Sequence, residues 1–264
     1  MRAVTAFAAL TLLTLLSFGY AAVVALPETP DDAAVSAESI VTGSDAFVWS
    51  CSTSDGVRRF AMELSVDRED FITSMHRDVL RCGSVFAPSP SSFIDPDDRY
   101  VREIASIIER GTEGLPDIAR AQAALAFVQS AIGYAKDSAV YGQNEFWAYP
   151  VETLYLRSGD CEDKSILLCS IFGALGFDSI LLDFEGHMAA AVDVEGAKGA
   201  HYTLDGRAYY YCETTGIMSI GHISPEFSRQ VPVIRIPGSD PIIPSALNFG
   251  FAWYRSAVQK VLGI

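Results

Sequence analysis

A cysteine stands inside Gly159-Asp160-Cys161-Glu162-Asp163, just ahead of an apolar run from Ile166 to Leu175. Glycine and an acidic residue before such a run mark a helix start, which sets Cys161 in the first helical turn. Free backbone N–H groups and the positive end of the helix dipole favour a thiolate there. His187 follows Glu185-Gly186 and opens a strand in which His187, Ala189, Ala191 and Asp193 share one face, the alanines leaving room for a helix to approach. Thiol and imidazole together suit acyl transfer: the thiolate attacks a carbonyl and the imidazole then protonates the leaving amine. Glu213 ends the aromatic strand Tyr209-Tyr210-Tyr211-Cys212. Antiparallel pairing of that strand with 187–194 sets Glu213 beside His187, where a carboxylate fixes the imidazole tautomer. A plain meander through 202–204 would carry Glu213 to the opposite end, so the expected arrangement has 202–204 as a side arm.

The elements that must position these residues are legible in part. Ser165, Leu168, Phe172 and Leu175 fall on the same helical stripe as Cys161, which turns the cysteine toward a sheet. Before it, helical patterns cover Asp97 to Arg110 and Pro116 to about Gly133, the second with Ile118, Ala121, Leu125 and Val128 at helical spacing. After it, strands are expected over Asp178 to Phe184, His187 to Val194, Tyr202 to Leu204, Arg207 to Thr215 and Gln230 to Ile236. Helices followed by antiparallel strands give an α+β fold. A small module over 44–95 holds a hairpin, Ala46 to Ser52 and Val57 to Val66 around Ser54-Asp55-Gly56, and a helix starting at Asp67. Cys51 and Cys82 bracket it and are candidates for a disulfide.

The first 26 residues are expected to be a membrane anchor, because Ala3 to Leu26 carry no charge and are long enough to span a hydrocarbon core. A cleaved signal ending near Val23-Val24-Ala25 is the alternative, and the chain is then secreted. Arg2 before the span and the acidic Glu28 to Asp32 after it put the bulk of the protein outside the cytoplasm, on a single-pass cell-membrane anchor. Residues 27–43 read as a linker rich in Pro, Ala, Ser and acidic residues. Residues 237–264 read as an amphipathic tail, too interrupted by Arg255 and Lys260 for a second span. The net charge of −14 over 264 residues excludes nucleic acid as a partner, since clustered Lys and Arg are needed to replace counterions. The five cysteines form no regular framework, and nothing in the sequence assigns an oligomeric state.

Three segments together resemble the transglutaminase-like superfamily: Ala148-Tyr149-Pro150-Val151-Glu152-Thr153-Leu154, then Gly159-Asp160-Cys161-Glu162-Asp163, then Gly186-His187-Met188-Ala189. The likeness covers roughly 97 to 216 and is nearest to archaeal and bacterial transglutaminase-like domain proteins, then to the bacterial transglutaminase-like cysteine proteinases. It implies a permuted papain-like α+β core, here over 96–236, with Cys161 as nucleophile, His187 as base and Glu213 as the acidic third member, where the family more often has Asp. It also implies an oxyanion donor upstream of the cysteine, for which Gln143 and Trp147 are the candidates. The implied substrate is protein or peptide.

Asp160, Glu162 and Asp163 crowd carboxylates around the sulfur and oppose a second anion. No cofactor is required by the chemistry, but a calcium ion held by Asp160 and Glu162 would reverse that local field, and the resembling proteinase branch has calcium-dependent members. A zinc site joining Cys161 and His187 to Cys169 or Cys212 is a rival without Cys-x-x-Cys spacing to support it. The other class of function is a catalytically inactive module that binds protein or peptide at the membrane surface.

Overall fold

The computed structural model describes residues 45–81 and 89–237, all within one compact unit, Val41–Ile264. The expected anchor, the linker, Cys82 and nearly all of the C-terminal tail lie outside the described residues. Among the described residues no helix is long and apolar enough to cross a membrane.

The chain opens with the expected hairpin, β1 (Ala46–Thr53) and β2 (Gly56–Glu63), paired so that Thr53 faces Gly56 across a tight turn. Phe47, Trp49, Phe60 and Met62 alternate inward, and Trp49 stacks on Phe60 at 4.9 Å. Helix α1 (Arg68–Met75) starts where Asp67 caps it by accepting from the Glu69 N–H. Helices α2 (Arg99–Gly111) and α3 (Asp117–Ala131) follow, α2 capped by Asp98. The hairpin shares a core with them: Phe127 of α3 meets both Phe47 and Trp49, at 5.5 and 5.0 Å. Cys51 is a buried free thiol in this core.

A short strand β3 (Gly133–Tyr134), helix α4 (Asp137–Val140), helix α5 (Pro150–Leu156) and strand β4 (Ser158–Gly159) lead to helix α6 (Cys161–Ala174). The pairing of β3 with β4 is parallel and fixes Gly159 just ahead of the cysteine. Helix α6 is buried on nearly every side, packed against α2, α3 and α5 as well as the sheet. The sequence suggested a single buried stripe; instead even Asp163 and Lys164 are enclosed.

The sheet is antiparallel, built from β5 (Asp178–Phe184), β6 (His187–Asp193), β7 (His201–Leu204), β8 (Arg207–Cys212) and β9 (Val233–Arg235) in the order β7-β8-β6-β5-β9. Strand β7 sits outside β8, the side arm that the position of Glu213 required. The face on which α6 packs is corrected, however. Met188, Ala190 and Val192 share a core with α6, while Ala189 and Ala191 face a second cluster with Phe184, Tyr211 and Ile234. Alternation gives the two faces of a strand but not which one a helix covers, and Ala190 supplies the room there.

Candidate active site

Cys161 is the first residue of α6, after the N-cap Asp160, whose side chain makes no capping hydrogen bond. The cap side chain thus satisfies none of the first-turn amides. Gly159 allows the tight approach behind it: a Cβ there would stand 2.6 Å from Asp163 Cβ and 2.9 Å from its Oδ2. Ser165, one turn along, bonds to the Met188 carbonyl at 3.2 Å and lies 3.2 Å from the Thr214 hydroxyl, pinning the start of α6 to the start of β6.

His187 begins β6 after the two-residue turn Glu185-Gly186, in which Gly186 holds a φ of 75°. The β6–β8 register pairs Ala190 with Cys212; continued by one step, it sets Glu213 beside Ala189, diagonal to His187. The side chains meet, with His187 Nε2 at 3.1 Å from Glu213 Oε2, and both are nearly enclosed, at 8% and 6% exposure. The carboxylate also accepts the Tyr211 hydroxyl at 2.7 Å, the Thr215 N–H at 3.0 Å and the Thr215 hydroxyl at 2.7 Å. Burial pushes the Glu213 carboxyl up, but these bonds and the imidazole outweigh it and bring it down to about 2. An ionised Glu213 takes the Nε2–H and leaves the Nδ1 lone pair for another partner. Cys161 and His187 line one cavity of about 520 Å³ together with Tyr134, Asn144, Phe184 and Met188.

The oxyanion candidates do not reach this cavity. Gln143 is exposed, outside the cavity lining. Trp147 packs edge-on against Phe93 at 5.9 Å, its backbone N–H bonded to the Arg81 carbonyl at 2.8 Å. The neighbour Asn144 does line the cavity; it is the side-chain amide that the sequence reading passed over. Also unforeseen are Asp137, which comes in from α4, and the Tyr211 and Thr215 hydroxyls on Glu213.

The sulfur's surroundings are acidic. Cys161 Sγ lies 2.9 Å from Glu162 Oε2. Burial, then the Glu162 charge and hydrogen bond, push the thiol well up, against a backbone hydrogen bond from Met188 that favours the thiolate. Burial, then the charge of Asp160, raise Asp137 to about 7, Glu162 to about 8, and Asp163 well above the usual carboxylate range. Asp160, Cys161 and Glu162 bring ligand atoms within 4.8 Å of one another, and so do Asp137, Asp160 and Asp163. Asp163 Oδ1 accepts the Ala148 N–H at 2.8 Å, but Asp163 Oδ2, Asp137 Oδ1 and Asp160 Oδ1 have no hydrogen-bond partner. Clustered carboxylate oxygens with unused lone pairs fit a hard divalent cation such as calcium. The thiols of the zinc alternative sit elsewhere: Cys169 and Cys212 are buried in the core, and among the described residues no metal-holding group includes them or His187.

Comparison with known proteins gives distant structural likeness. No family model and no curated protein matches the chain. Among solved structures, one described as a TGase is 16% identical, with a TM-score of 0.35 over 68% of this chain and 47% of its own. The chain thus spans about half the length of that protein. A protein described as a candidate cysteine protease from Cytophaga hutchinsonii is 11% identical, with a TM-score of 0.33 over 78% of this chain and 77% of its own. One described as a candidate protease from Parabacteroides distasonis is 10% identical, with a TM-score of 0.27 over 66% and 41%.

Proposed function

We propose that this chain is a transglutaminase-like cysteine peptidase or amide acyltransferase acting on extracytoplasmic protein or peptide, held at the cell membrane by its N-terminal segment or secreted if that segment is cleaved. The observation that carries the reading is the His187–Glu213 pair, buried and bonded through Nε2, with Cys161 at a helix start on the wall of the same cavity. In this reading His187 takes the thiol proton at Nδ1. The thiolate adds to an amide carbonyl carbon, the C–N bond breaks, and the imidazolium gives its proton to the leaving amine. Water, or a second amine, then attacks the thioester while His187 accepts its proton, which returns the thiol. Developing negative charge on the carbonyl oxygen falls near the N-terminal end of α6 and the Asn144 side chain, which lines the same cavity.

The carboxylates around Cys161 oppose the thiolate on which this chemistry depends. Asp160 and Glu162, with Asp137 and Asp163 behind them, are the residues that would hold a calcium ion. Bound there, it would supply positive charge that lowers the thiol and keeps the carboxylates ionised. The same acidity favours a second reading, a catalytically inactive module that binds protein or peptide through the cavity with Cys161 kept as a neutral thiol. The test is incubation of the purified protein with unfolded protein substrates and primary amines, with and without calcium, followed by mass spectrometry. Cleavage or amine incorporation that disappears in Cys161→Ser supports the enzyme; substrate binding without turnover in any condition supports the module.

A further inference from the structure

Phe227 opens a one-turn 3-10 helix, Phe227–Arg229, in the long connection between β8 and β9. Its ring lies against the face of the His187 imidazole, with centroids 4.4 Å apart and planes inclined by 19°. Phe184 completes the wall, 5.5 Å from Phe227 and 6.4 Å from His187. The turn is tied to the histidine's own hairpin, since Gln230 Oε1 accepts the backbone N–H of Glu185 at 3.2 Å. It is closed internally by Ser228 N–H on the Ser224 carbonyl and Gln230 N–H on the Phe227 carbonyl, both at 3.0 Å.

Acyl transfer makes two demands on the imidazole: Nε2 must stay on Glu213 while Nδ1 is offered to the cavity that holds Cys161. A hydrogen bond at Nε2 restrains one atom of the ring, and the terminal torsion of histidine is broad. The ring can then swing Nδ1 by tens of degrees at little cost. A flat aromatic surface against one face removes that freedom, because tilting the imidazole would drive it into the phenyl ring or open a gap. It also covers the imidazole from water, consistent with the 8% exposure of His187. Leucine in place of Phe227 would fill much of the volume but present no plane.

We propose that Phe227 is a positioning residue: stacked on His187, it fixes the imidazole plane so that Nδ1 is presented to the cavity while Nε2 remains on Glu213. The proposal rests on the reading of Cys161 and His187 as nucleophile and base. Its test compares wild type with Phe227→Ala, Phe227→Leu and Phe227→Trp in the full chain, by two measurements. Nitrogen-15 shifts of His187 report the tautomer, and iodoacetamide alkylation of Cys161 reports the working pair. Wild type should hold one tautomer, protonated at Nε2. The alanine variant should populate both and lose about 10- to 100-fold in alkylation rate, as a misplaced catalytic group does. Tryptophan should restore the tautomer and most of the rate, whereas leucine should not. A single tautomer with wild-type alkylation in the alanine variant would overturn the proposal, and so would rescue by leucine as complete as rescue by tryptophan. Should the alanine variant fail to fold, the leucine and tryptophan pair decides by the same contrast. If alkylation of wild type is indifferent to His187→Ala, the acyl-transfer reading fails, and the tautomer alone still judges Phe227.

Discussion

Glu213→Gln exchanges a group that only accepts for one that accepts at one atom and donates at the other. The two carboxylate oxygens receive His187 Nε2, the Tyr211 hydroxyl, and the Thr215 N–H and hydroxyl. Whichever way the amide turns, its NH2 meets groups that are already donating. Burial opposes ionisation, yet the His187 and Tyr211 hydrogen bonds, the imidazole charge and the Thr215 bond bring the carboxyl from 4.5 down to about 2. That drop corresponds to about 3 kcal/mol at about 1.4 kcal/mol per unit, and solvent screening at the cavity leaves on the order of 2. A carboxylate whose folded pKa lies below its unfolded one stabilises the fold above the unfolded value, and loses that contribution as the pH falls through the folded value. Urea unfolding should therefore show the variant less stable than wild type by on the order of 2 kcal/mol near neutral pH. The gap should close as the pH falls from about 4.5 toward about 2. Alkylation of Cys161 should slow by roughly a hundredfold or more, since the imidazole loses the partner that fixes its tautomer. A stability gap that does not change with pH, or a variant as stable and reactive as wild type, would refute the reasoning.

The acidic cluster makes an opposite pH prediction. Asp137 and Glu162 have folded pKa values raised to about 7 and about 8, so their contribution is full below about 4 and is lost as the pH rises through those values. In the absence of divalent cations, urea unfolding should show Asp137→Asn gaining about 1–2 kcal/mol over wild type at pH 8, because it removes a buried charge that forms as the pH rises through about 7 beside Asp160. Added calcium should stabilise wild type and not the variant; equal response in both would contradict the cation fit. Arg81 forms a buried two-pronged pair with Glu152 at 2.6 and 2.8 Å and bonds the Ser74 carbonyl at 2.6 Å. Arg81→Met should cost about 3–5 kcal/mol in urea unfolding by leaving the Glu152 charge buried without its partner. Adding Glu152→Gln should recover part of it, and a loss under about 1 kcal/mol would show the pair to be dispensable.

The hairpin, α2 and α3 were readable because each carries its own period and stop signals, and the five sheet strands because turn residues separate them. Helix α5 was not read: its seven residues begin at Pro150 and bury Glu152, and what makes that burial tolerable is Arg81, 71 positions away. Asp163 and Lys164 look like surface residues in the sequence. They are enclosed because α6 is covered by helices as well as by the sheet, and Lys164 Nζ finds the Ile132 carbonyl at 2.7 Å. Within the site, Cys161, His187 and Glu213 could be named from helix-start, strand-start and register logic. Asp137, Asn144 and Phe227 come from separate loops and short turns, with no local pattern to mark them. Gln143 was preferred to Asn144 by type alone, and one position along a loop decides which side chain enters the cavity.

The most direct measurement is the rate at which a limiting thiol electrophile labels each cysteine of the purified protein across pH, in saturating calcium and in chelator, for wild type and His187→Ala, with the labelled residue located by peptide mapping. The account predicts that Cys161 alone reacts fast below about pH 7 in at least one of these conditions, and that this reactivity is lost without His187. Ordinary thiol behaviour of Cys161 in both proteins under both conditions would contradict it, and would leave the cavity as a binding site rather than a catalytic one.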